Sequence, residues 1–241
     1  MFSELVRSKF REVGKEDYLE RIETALKEHE SRYIDKLKPL SSRPEGMLGQ
    51  NDLHYIQLSL YRSKALLEGV ITSVNSGNDL LAMLATRAHF ETTGWLSFFF
   101  KKLRNYYDSV IEYEELDKAL IRLHLGTRDE EIERVAESIN VMSMIDSIDQ
   151  YFKHLFPEKK VQTVRKTYDL LSEFCHPNFS GITIGAQTDK NIGIVGFKKS
   201  LELSNEDLAF SSYLILSTTV FLEFYDMCFS LLSENEELPI G

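Results

Sequence analysis

The feature that most constrains this chain is an apolar spacing of three and four that recurs along most of its length. Leu19, Ile22, Leu26, His29, Tyr33 and Leu37 form one such stripe. Tyr55, Leu58, Leu66 and Val70 belong to a second, and Val161, Val164, Tyr168, Leu171 and Cys175 to a third. Residues three and four apart share a helix face, so each stripe predicts an amphipathic helix that buries that face. Only 12 glycines and 5 prolines among 241 residues are available to break the runs, and no repeat of fixed period is visible. The expectation is an all-α fold.

Local punctuation sets the expected boundaries. The first stripe ends near Pro39, and the stretch 39–50 holds two prolines, two glycines and two serines. It reads as a loop separating an N-terminal helical appendage, 1–45, from a main helical domain, 51–235. A helix is predicted from about Asp52 to Asn75. Ser76-Gly77-Asn78 is a turn, and Asn78 or Asp79 caps a helix that runs through Phe100 towards Tyr107. Acidic residues from Glu112 to Asp117 open a shorter helix. Thr127-Arg128-Asp129-Glu130 has the form of a capping box opening a helix towards Phe156. Pro157 then precedes a helix that reaches His176. Ile182-Thr183-Ile184 and Ile192-Gly193-Ile194-Val195 are β-prone runs with turn-like Gln187 to Asn191 between them. They predict a small β-hairpin, about 181–197, inserted between the last two long helices. The last helix starts at a capping Ser204 and ends before Glu236.

Charge and cysteine usage exclude several classes. The formal net charge is −10, against a surface that grips nucleic acid by general basicity. The charge is uneven: residues 151–200 carry eight basic and four acidic side chains, whereas 201–241 carry eight acidic and no Lys or Arg. Two cysteines, Cys175 and Cys228, rule out a disulfide scaffold and fit free core thiols in a reducing cytoplasm. The start of the chain has no apolar core after a basic segment, so it does not read as a secretory signal. Leu80 to Phe100 has Arg87, His89 and Glu91 near its middle, and Leu208 to Leu222 is short of a membrane span. No membrane partner is expected. The six histidines lack metal-ligand spacing, and there is no Walker loop, Gly-x-Gly-x-x-Gly or Gly-x-Ser-x-Gly. Neither a metal nor another cofactor is expected.

Two constellations could carry chemistry. Arg165, Asp169, Ser172 and His176 step by four, three and four, which sets a polar row beside the apolar stripe of the same helix. Pro177 stops that helix at or just before His176. A helix C-terminus carries partial negative charge and suits a cationic side chain. His176 is therefore a candidate proton donor or cationic clamp, or else simply a capping residue with Pro177 and Asn178 forming the turn. The second constellation is Arg87-Ala88-His89-Phe90-Glu91. Arg87 and Glu91 share a helix face on an apolar helix. They read either as an ion pair fixing helix register or as an anion-holding arginine oriented by a carboxylate.

Arg87-x-x-x-Glu91 followed by Gly94-Trp95-Leu96, together with Tyr168-x-x-x-Ser172-x-x-x-His176-Pro177-Asn178, resembles a group of bacterial all-helical proteins distantly related to the HEPN superfamily. The likeness spans roughly residues 53–232. It implies a helical bundle, often a homodimer. Many such proteins are metal-independent ribonucleases of toxin and antiviral defence systems, and others are inactive scaffolds. Active members place an Arg before the His with four to six residues between them, Arg-x(4–6)-His. Here Asp169, Leu170 and Leu171 occupy those positions, so only His176 carries over, and Arg87 would have to substitute from another helix. Two functions follow. In a ribonuclease acting on RNA, His176 is general acid or base and Arg87 stabilises the phosphate. Glu91, Ser172, Asn178, Arg165, Asp169 and Tyr168 support them, and Lys159, Lys160, Lys166, Lys198 and Lys199 steer the RNA. In a non-catalytic interaction or scaffold module, the same polar residues fix a bundle that acts in a homodimer or larger complex. A pocket for a small anion around Arg87 is a third reading.

Overall fold

The computed structural model describes residues 1–37, 47–124, 126, 137–157, 163–184, 186–189, 193–197, 205–236, 238 and 240. These residues form α1 (Glu4–Glu12), α2 (Glu16–Ser31), α3 (Met47–Asn75), α4 (Asp79–Tyr107), α5 (Tyr113–His124), α6 (Val141–Leu155), α7 (Thr163–Cys175) and α8 (Phe179–Thr183). Two short strands, β1 (Ala186–Asp189) and β2 (Ile194–Phe197), and the long helix α9 (Asn205–Asn235) complete them. The fold is all-α. Its one sheet among the described residues is the antiparallel pair β1–β2, in which Ala186 faces Phe197 and Asp189 faces Ile194.

Several boundaries differ from those expected, each for a local reason. Helix α2 stops at Ser31 rather than near Pro39. Past it, Gln57 accepts from the Ile34 amide at 3.1 Å and donates to the Arg32 carbonyl at 3.1 Å, so side-chain bonds replace helical ones and release Tyr33 and Leu37 from the stripe. The helix that reaches Leu155 opens at Val141, where the Asn140 side chain accepts from the Met142 amide. The Thr127–Glu130 box, Val161, most of the 39–50 loop, the Ser204 cap and lysines 159, 160, 198 and 199 lie outside the described residues. The hairpin is also shifted. Ile182 and Thr183 belong to α8 because Asn178 caps that turn, accepting from the Gly181 amide at 3.1 Å. A cap within four residues outweighs the β preference of Ile-Thr-Ile. Residues 187–189, expected as turn, therefore form β1.

The chain divides into two compact units. The first comprises Met1–Ser31, Ser63–Phe90 and Lys166–Thr219; the second comprises Arg32–Arg62, Glu91–Arg165 and Val220–Gly241. In the first unit the N-terminal helices are part of the core: Phe2, Val6, Phe10, Leu19 and Ile22 pack with Leu67, Val70, Met83 and Leu214. Ser3 caps α1, and the Ser3 amide donates to Asn75 Oδ1 at 2.8 Å. Helices α3 and α4 join through a tight turn. Gly77, at φ +69°, donates to the Val74 carbonyl at 3.0 Å, and the Asn78 amide donates to the Ser73 carbonyl at 2.8 Å. This left-handed position favours glycine. Asn78 then caps α4 by accepting from the Leu81 amide at 3.0 Å.

The second unit buries Leu53, Ile56, Leu96, Phe99, Ile145, Phe221, Phe224 and Leu232. Arg32 clamps Asp226 through two bonds of 2.7 Å. Asp149 of α6 receives the Val164 and Arg165 amides at 3.2 and 2.9 Å, which caps the start of α7. One stretch among the described residues, Phe210–Asn235, is long and apolar enough to cross a membrane, with 56% of its window buried. Glu223 and Asp226, which follow the run ending at Leu222, sit on its exposed side.

Candidate functional site

The polar row of α7 holds together as a row, but most of its members have structural partners. Arg165 Nη1 donates to Asp146 Oδ1 at 2.7 Å. Ser172 Oγ donates to the Tyr168 carbonyl of its own helix at 2.9 Å. Asn178 caps α8, and its Nδ2 donates to Glu173 at 2.6 Å. His176 lies just past α7, is exposed, and its amide donates to the Ser172 carbonyl at 3.1 Å. The α8 turn crowds it closely: a Cβ on Gly181 would stand 2.0 Å from the His176 carbonyl oxygen, so only glycine fits there. Asp169 lies between Arg165 and Ser172 on the row, facing solvent.

Arg87 meets Tyr168. Its Nη2 donates to the Tyr168 hydroxyl at 3.0 Å, and its guanidinium carbon lies 5.3 Å from the ring centroid. Tyr168 is buried, so the pair joins a cation–π contact to a hydrogen bond. Tyr168 precedes His176 by eight residues, roughly 12 Å of helical rise. Glu91, four residues after Arg87, belongs to the second unit.

The first unit also holds a buried polar chain that residue spacing does not reveal. His29 Nδ1 lies 2.7 Å from the Ala25 carbonyl, and His29 Nε2 lies 2.7 Å from Ser63 Oγ. Ser63 Oγ is also 2.7 Å from His89 Nε2, whose ring partner Nδ1 is 2.7 Å from Ser217 Oγ. All four side chains are buried. A carbonyl only accepts, so an uncharged His29 carries its proton on Nδ1 and accepts from Ser63. Ser63 must then accept from His89 Nε2–H, and Ser217 must donate to His89 Nδ1. One direction runs through α9, α4, α3 and α2. The available signal was a histidine inside each of two apolar runs, since a polar group there must find a partner.

The second unit contains a cavity of about 360 Å³ lined by Tyr55, Leu58, Ser59, Arg62, Glu91, Thr92, Trp95, Leu123 and Met144. The α3 residues are spaced i, i+3, i+4, i+7, one helix face. Arg62 Nε donates to Thr92 Oγ1 at 3.1 Å. Trp95 Nε1 donates to the Leu123 carbonyl at 3.2 Å, and its ring stacks on Phe99 with centroids 5.6 Å apart and planes 5° from parallel. Of the lining residues, Glu91 alone is an expected site residue; Trp95 enters the sequence argument only through the Gly94-Trp95-Leu96 motif, and Arg62 and Thr92 do not enter it. No group of metal-ligating side chains occurs among the described residues.

No protein-family model matches the sequence, and neither a curated protein nor a solved structure matches the chain.

Proposed function

We propose that the chain is a non-catalytic helical interaction module, an HEPN-like bundle of the cytoplasm that acts as a homodimer through its α8–hairpin arm. One observation carries this reading. Within the arm, Phe179 is 83% exposed, Ile182 71%, Ile194 58%, Val195 53% and Phe197 75%. Single exposed apolar residues are ordinary on any surface, but five on one short arm are a concentration that an interface would cover. A second copy suits the arm. The outer edge of β2 pairs with no strand among the described residues. An antiparallel edge can pair with its own copy about a two-fold axis. Ile194, Val195, Gly196 and Phe197 carry no charge, so two copies of β2 bring no like charges together. A lone two-stranded hairpin is marginal in water, and four strands would support one another.

Sedimentation equilibrium of wild type and of a Val195→Lys/Phe197→Lys double variant tests the reading. The wild type should be a dimer and the variant a monomer with unchanged helical circular dichroism. A monomeric wild type, or a variant that remains dimeric, overturns it. A ribonuclease reading rests on a different observation, the solvent-facing imidazole of His176 at the end of α7. RNA incubated with the protein in EDTA tests that one. Cleavage lost in His176→Ala supports it, and intact RNA with wild type rejects it.

A further inference from the structure

We propose that the cavity between Arg62 and Trp95 is a binding site for a small aromatic monoanion, a flat ring bearing one carboxylate. The volume, about 360 Å³, is within the roughly 300–1,000 Å³ of small-molecule sites and exceeds a single substituted ring. Its walls suit a flat apolar body. Trp95 is immobilised twice, by its bond to the Leu123 carbonyl and by its parallel stack on Phe99, so it presents a rigid surface. Tyr55, Leu58 and Met144 add apolar and polarisable lining.

The charge selects the ligand. Arg62 spends its Nε proton on Thr92, which sets the guanidinium plane. Among the described residues its two terminal amino groups make no other hydrogen bond or ion pair, and the side chain is exposed at the rim. A planar fork held in this way matches a carboxylate bidentately. Glu91 on the same wall narrows the choice further. Its negative charge opposes a dianion such as a phosphate monoester more strongly than a singly charged carboxylate. The site lies wholly within the second unit and is independent of the hairpin arm.

Trp95 is the sole tryptophan, so its fluorescence reports on this cavity alone. Benzoate, benzamide and phenyl phosphate are titrated into the full chain, with saturation-transfer NMR of the ligand ring protons as a second readout. Benzoate should bind saturably, with benzamide and phenyl phosphate weaker by about tenfold or more, the usual worth of a charge-assisted bond. Arg62→Gln, an exposed substitution, should weaken benzoate by a similar factor and leave benzamide unchanged. Four outcomes overturn the assignment: no saturable benzoate signal in either readout, equal binding of benzoate and benzamide, tighter binding of phenyl phosphate, or benzoate affinity unaltered in Arg62→Gln with its melting temperature retained.

Discussion

Replacing Ser63 by alanine removes one hydroxyl and strips a buried partner from two imidazole nitrogens at once. The Ser63 oxygen stands 2.7 Å from both His29 Nε2 and His89 Nε2. In the direction assigned above, it donates to the first and accepts from the second. Each buried polar group left unsatisfied costs about 1–3 kcal/mol, so the substitution should cost about 2–6 kcal/mol. A domain stable by about 5–15 kcal/mol loses much of its margin to such a change. Ser217→Ala takes the partner from His89 Nδ1 and should cost about 1–3 kcal/mol. Thr72→Ala removes an exposed hydroxyl that donates to the Glu68 carbonyl of its own helix, and should stay within about 0.5 kcal/mol.

Urea unfolding followed by circular dichroism gives the three values, with the slope of each transition checking that the unfolded state is unchanged. The expected order is Ser63→Ala above Ser217→Ala above Thr72→Ala. A Ser63→Ala cost under about 1 kcal/mol at constant slope refutes the reasoning, because two buried imidazole nitrogens cannot lose their partner so cheaply. The proton assignment has its own check. Long-range proton–nitrogen correlation should find His29 protonated on Nδ1 and His89 on Nε2; the opposite pair would reverse the chain and is incompatible with the Ala25 carbonyl as acceptor.

Two further outcomes follow from other buried groups. Burial, with Glu236 close by, holds the Asp52 carboxyl well above the ordinary 3.8, and neither oxygen has a hydrogen-bond partner among the described residues. A carboxyl raised in the folded state contributes stability below the unfolded value and loses it as pH rises through the folded one. The melting temperature of Asp52→Asn should therefore gain on wild type as pH rises above about 4; parallel curves would remove Asp52 from the account. Arg87→Ala leaves the buried Tyr168 hydroxyl and ring without the guanidinium and should cost about 1–3 kcal/mol by urea unfolding. Arg87→Lys should recover only part of this, since an ammonium cannot stack as a plane, and full recovery by lysine would show that charge alone matters.

What was legible in the sequence is what short-range physics decides. The α3–α4 turn could be placed because its stop and start are written in Ser76, Gly77 and Asn78: a left-handed glycine ends one helix and an Asx side chain caps the next. The end of α2 could not be placed, because Gln57, distant in the chain, takes the backbone bonds that would have extended the helix. The hairpin is legible as a pair of β-prone runs, yet its first strand begins later than those runs imply because the cap at Asn178 claims Ile182 for α8. The α7 row was visible as spacing. That Arg165 turns to Asp146, and that Ser172 bonds its own helix, depends on neighbours which spacing does not specify. Likewise Tyr55, Leu58, Ser59 and Arg62 visibly share a face, but nothing along the chain says that Trp95 and Thr92 stand opposite.

The buried polar chain bears on why the first unit holds one arrangement. Leucines at His29, Ser63, His89 and Ser217 would serve a generic core with less desolvation. Three directional bonds between helices instead tie four helices to one register. A one-residue slip of any of them rotates its polar side chain by about 100° and leaves its neighbours unsatisfied in a water-free core. An apolar stripe tolerates such a slip far better, because neighbouring apolar faces are interchangeable to within a packing adjustment. The α8–hairpin arm precedes α9 in the chain, and Ser217 pins the first half of α9 to His89. Pinning the helix that follows the arm reduces the freedom lost when the arm docks, and preorganised surfaces retain more of their contact energy as affinity. Ser217→Ala should therefore weaken the dimer even though position 217 is buried and lies outside the arm. If sedimentation equilibrium gives the same dissociation constant for this variant and the wild type, the polar chain serves the core alone.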